Sequence, residues 1–147
     1  MEIGIAISIV ALVIALISAG AAWHSIRIAK RSAYNALRGA QYDYLAKKWY
    51  DIKEKEFNYP DFIDSDKTRS YKTAFSGNKL TRYEIFAWVC WAHAEDIYHN
   101  RWHNDPAFEP TIKSYKNLHY SWLMDPNNYK QFTAEPNFMK YVNELNV

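Results

Sequence analysis

Between residues 83 and 103 the chain reads YEIFAWVCWAHAEDIYHNRWH, with three tryptophans, one cysteine, two glutamates, one aspartate and three histidines in 21 residues. Carboxylates and imidazoles are the side chains that hold metals and move protons near neutral pH. On a helix, residues three or four apart are neighbours. One row of such a helix carries Phe86, Val89, His93, Asp96, Asn100 and His103; another carries Glu84, Trp88, Trp91, Glu95, His99 and Trp102. The first row reads as core that gives way to a solvated edge from His93 onward. The second places Glu95 and His99 one turn apart, between Trp91 and Trp102. Buried together, that pair would have a shifted titration and could bind a metal or move a proton.

The rest of the chain does not complete such a site. Zinc and di-iron centres in helical bundles take three or four ligands, commonly Glu-x-x-His from more than one helix. No Glu-x-x-His and no His-Glu-x-x-His occurs, and His119 is the only histidine on the next helical segment. Glu95, His99 and His119 are therefore the only metal-ligand candidates, and the expectation is no metal and no cofactor. Glu95 and His99 are expected to be a buried structural pair. Trp88 and Trp91 are expected to pack against the N-terminal helix through Leu45 and Trp49. A single cysteine rules out an internal disulfide; inside its apolar run, Cys90 reads as a small buried hydrophobe. There is no glycine-rich phosphate loop and no nucleophile with a base and an orienting partner. No catalytic residue is expected, and the protein is not expected to be an enzyme.

The elements that must position these residues are helices. With 49% hydrophobic residues, 4 Gly and 5 Pro, the 147-residue chain can build a core and has few breakers. A net charge of +2 gives no electrostatic footprint for nucleic acid. Residues 3–23, IGIAISIVALVIALISAGAAW, are 21 residues without a charge. At ~1.5 Å per residue they span ~30 Å, the thickness of a bilayer core. Only Met-Glu precedes them, not the basic segment of a signal peptide, so an uncleaved span is expected. Arg27, Lys30, Arg31 and Arg38 follow the span. The positive-inside rule then places the C-terminal domain in the cytoplasm and Met1 outside, with the chain in the inner membrane. Gly4, Ala6, Ser8, Ala11, Ala15, Ser18, Ala19 and Ala22 are small. Ala11, Ala15 and Ala19 share a face, the small-xxx-small pattern that lets helices approach in lipid.

No proline occurs before Pro60. An apolar row of Ile26, Ala29, Ala33, Leu37, Ala40 and Tyr44, continued by Leu45, Trp49 and Ile52, predicts one long amphipathic helix running on from the span to about Phe57. A bend at Gly20 or Gly39 is allowed. The segment NYPDFIDSDKT reads as a loop, with a short helix over 71–75 and a turn at Ser76-Gly77-Asn78. Thr81 and Glu84 form a capping box that starts the next helix, which runs to about Trp102. Further helices are predicted from about Pro110 to Met124 and from about Glu135 to Leu145. The fold class is all-α: a transmembrane anchor (1–23), an amphipathic extension (24–57), and a small cytoplasmic domain (58–147) whose roughly three further helices pack on the long helix.

This layout has a single span, a basic continuation from Arg31 to Trp49, Tyr83-Glu84-Ile85-Phe86, Trp122, and a close of the form Phe138-x-x-Tyr141-Val142-x-x-Leu145. It resembles a large, loosely defined group of single-pass bacterial membrane proteins with a small helical cytoplasmic domain, some associated with phage abortive infection. That group has no agreed catalytic motif, so no catalytic residue carries over. The functional expectation is a non-enzymatic accessory or scaffold subunit of a membrane assembly. Its partners would be the lipid bilayer, other membrane subunits or a second copy reached through the span, and no nucleic acid. The competing expectation is a membrane-tethered sensor or phage-defence effector acting as a homo-oligomer.

Overall fold

The structure, a computed structural model, describes residues 2–100, 102–128 and 135–146, with side chains from residue 10 onward. The expected outward terminus at Met1 and the side chains of Gly4, Ala6 and Ser8 lie outside the described residues. The chain divides into two compact units, Met1–Tyr42 and Asp43–Val147. All regular structure among the described residues is helical.

Helix α1 spans Glu2–Asn58. Helical structure runs through Gly20 and Gly39 without interruption. It stops where the chain forces it to. Tyr59 precedes Pro60, whose ring disfavours helical geometry in the preceding residue, and Tyr59 sits at φ −133, ψ 69. Within α1 lies one stretch long and apolar enough to cross a membrane, and none of it is buried in the protein.

The second unit holds the core. The Pro60 region, expected to be a loop, instead forms a 3₁₀ turn at Pro60–Ile63 and helix α2 at Ser65–Arg69. Asp64 supplies the reason: its carboxylate accepts from the backbone N–H groups of Asp66 and Lys67 at 3.1 and 3.3 Å, satisfying two donors that a helix start leaves free. Helix α3 is Tyr71–Ala74, and α4 is Gly77–His99. The expected start of α4 at the Thr81–Glu84 capping box is a turn too late. Ser76 is the N-cap, and Gly77 at φ +52 turns the chain from extended Ser76 into the helix, a conformation that costs glycine little. Helix α5 is Glu109–Leu123 with Pro110 in its first turn, and α6 is Pro136–Glu144, begun by proline.

Helix α5 packs on α4 and on α2. Leu45 and Ile52 of α1, Phe62, Tyr83, Trp91, Ile112, Leu123 and Phe138 are almost wholly buried in one cluster. Phe62 is its aromatic hub, with ring centroids 5.5–5.6 Å from Phe75, Tyr83 and Phe86. Such ring pairs add ~0.5–1.5 kcal/mol each beyond the area they bury.

Candidate functional site

The four-residue spacing on α4 does bring Glu95 and His99 together, with Nε2 of His99 3.7 Å from Oε1 of Glu95. Contrary to expectation the pair is not buried: the side chains are 49% exposed for His99 and 22% for Glu95. A third residue joins them. Nδ1 of His99 lies 3.4 Å from Oε2 of Glu135, and the backbone N–H of Glu135 donates to Oε1 of Glu95 at 3.1 Å. Glu135 is the N-cap of α6, so the cluster clasps the start of that helix to α4. The two carboxylates address opposite nitrogens of one imidazole and do not converge on a single point. Among the described residues no group of three or more His, Cys, Asp or Glu side chains could hold a metal ion.

His119 is elsewhere, in the core. It and His93 are both fully buried, which corrects the reading of His93 as part of a solvated edge. The reason is a set of long-range partners. Nε2 of His93 lies 3.0 Å from the carbonyl oxygen of Leu45 on α1, and Nδ1 lies 3.0 Å from the hydroxyl of Tyr115 on α5. A carbonyl can only accept, so Nε2 carries the proton and Nδ1 accepts from Tyr115. One neutral imidazole thus links three helices. His119 places Nδ1 3.2 Å from the Tyr83 hydroxyl, and its carbonyl accepts from the Trp91 indole at 3.1 Å. Burial disfavours the charged form of both rings. It pulls His93 down to about 4, and His119 down to about 3.

Burial also pushes the Cys90 thiol and the Tyr83 and Tyr115 hydroxyls up. A thiol held in its protonated form is a poor nucleophile. Near pH 7 the two histidines and two tyrosines are neutral donors and acceptors that align α1, α4 and α5. Sequence reasoning also missed Glu56, buried on α1 with its carboxylate 2.5 Å from Lys53 Nζ. Its place at four residues from buried Ile52 was the available signal.

The two tryptophans part company. Trp91 is fully buried, in one cluster with Leu45 and Ile52 of α1, and it contacts α5 and α6 as well: beyond its bond to His119, its ring meets Phe138 edge-on at 6.4 Å. Trp88 is 47% exposed, not buried as expected. Leu45 is buried and Trp49 half-buried. In the first unit Ala11, Ala15 and Ala19 lie along one exposed face of α1. Against known proteins, no family model, no curated protein and no solved structure matches this chain.

Proposed function

We propose that the protein is a non-enzymatic, single-pass accessory or scaffold subunit of a membrane assembly, anchored by residues 3–23 with its C-terminal domain in the cytoplasm. The observation that carries this reading is the exposure of Val10, Leu12, Val13, Ile14, Leu16 and Ile17 on α1. A run of large aliphatic side chains facing outward is unfavourable in water and favourable in lipid. Arg27, Lys30, Arg31 and Arg38 follow the run, which supports the orientation. The Ala11, Ala15 and Ala19 face supports close contact with another helix in the membrane. In the second unit, His93, His119, Tyr83 and Tyr115 are buried and hydrogen-bond between helices, which favours a binding role over catalysis.

A reporter active only in the cytoplasm, fused after Val147, is expected to give signal; activity of a periplasmic reporter instead would overturn the orientation. In mild detergent the tagged chain is expected to co-purify with another subunit or with itself. Ala11→Leu together with Ala15→Leu is expected to weaken that assembly. Unchanged assembly would return the span to a plain anchor.

A further inference from the structure

On the second unit, a groove of about 170 Å³ opens between the end of α1 and α4. It is lined by Lys55, Tyr59, Phe62, Arg82, Ile85 and Phe86. The buried rings of Phe62 and Phe86 lie deepest, while Lys55, Arg82 and Ile85 are exposed. Pockets for whole drug-sized ligands are larger, ~300–1,000 Å³. A space near ~150 Å³ takes about one benzene ring. The groove therefore has room for one bulky apolar side chain.

Charge decides what carries that side chain. Neither Lys55 nor Arg82 has an ion-pair partner among the described residues, and the Arg82 guanidinium lies 5.9 Å from the centre of the Tyr59 ring. Two nearby carboxylates are taken, Asp61 by Lys67 and Lys79 and Glu56 by Lys53, while Asp51, Glu54 and Glu84 flank the groove outside its lining. Beyond the groove the apolar surface continues along α4, where Ile85 is 58% and Trp88 47% exposed. An aromatic-floored recess beside exposed aromatic and cationic side chains is the usual make-up of a protein-binding hot spot. A recess receives a projecting side chain, which a bilayer surface does not present.

We propose that this groove docks an acidic segment of a partner protein, which seats one bulky apolar side chain over Phe62 and Phe86 and sets carboxylates against Lys55 and Arg82. The proposal rests on the subunit reading above and names where, and by what chemistry, the cytoplasmic domain would engage its partner.

The test places a photo-reactive phenylalanine analogue at position 85 of the full chain in its native membranes. The same cross-link is then attempted in Lys55→Glu and Arg82→Glu chains. Both substitutions are at exposed positions, and unchanged thermal unfolding in detergent checks that the domain still folds. The expected result is an adduct to a protein, mapped to a peptide with a bulky apolar residue beside Asp or Glu. Its yield is expected to fall roughly tenfold or more on charge reversal, since like charges brought face to face at an interface repel. An adduct to lipid only, no adduct, or a protein adduct that lacks carboxylates or survives charge reversal would overturn the proposal. Co-purification of partners with no adduct at position 85 would remove the groove and leave the subunit reading standing. Absence of both would remove both.

Discussion

The stretch over residues 10–37 and the core built on α4 and α5 use apolar side chains in opposite ways. In the first, Leu16 and Ile17 are 64% and 67% exposed; side chain after side chain faces outward, and polar demand is met by helical backbone bonds. In the second, Trp91, Ile97 and Ile112 are fully enclosed, and two histidines and two tyrosines are buried among them with hydrogen bonds of their own. By length and composition the first region holds a stretch apolar enough to cross a membrane, followed by Arg27, Lys30 and Arg31. The second asks for specific partners, because a buried polar group left unpaired costs ~1–3 kcal/mol. Single substitutions should therefore act through solvent in one region and through geometry in the other.

The largest effect is expected inside the core. Trp91→Ala removes a fully buried ring and its bond to the His119 carbonyl. It should lower unfolding stability by ~3–5 kcal/mol in urea titration, while Trp88→Ala, three residues away and exposed, should change it by less than ~1 kcal/mol. Equal effects would erase the distinction between the two faces of α4. Next comes Val13→Arg in the apolar stretch, which should cost ~2.5–3.5 kcal/mol of membrane insertion. Carbonate extraction should then release more of the chain, with the urea midpoint of the second unit unmoved. A shifted midpoint would mean that the two regions are not separable in this way.

The smallest of the three single-site effects is the share of the pH response carried by His93, and its sign follows from burial. The folded-state values of about 4 for His93 and about 3 for His119 lie below the 6.5 of an unperturbed histidine. Between those values the unfolded chain binds more protons than the folded one, so stability rises with pH. The contribution is complete above about pH 6.5 and is lost as pH falls toward 4 and then 3. At pH 5 each ring should have given up ~2 kcal/mol. His93→Gln should remove part of that slope, and a slope identical to the parent would show that His93 does not cause it.

The apolar stretch was readable because a charge-free run needs only composition and length. The helices α4, α5 and α6 were readable from apolar spacing and, for α5, from Pro110. The orientation of α4 was not. His93 shares a row with Asp96 and Asn100, and the atoms that make it core, on Leu45 and Tyr115, lie 48 and 22 residues away. The tryptophans misled in the other direction, since Trp88, Glu95 and His99 lie on one flank while the buried face is centred on Ala87, Cys90 and Ala94. That row of small residues was the missed signal, because small side chains mark where helices approach closely. Glu135 could not be placed beside His99 without knowing where α6 returns.

The contact between Trp91 and Phe138 also has a consequence for how the chain is made. The ring of Trp91 meets Phe138 on a helix made after it, whereas residues 10–37 leave the ribosome earlier. Roughly a hundred residues separate the two, and at ~5–20 residues per second that is on the order of ten seconds of translation. For that interval the nascent chain displays its apolar N-terminal helix while the domain core is still open on one side. A helix over residues 10–37 is thus exposed before the core of the second unit can be completed.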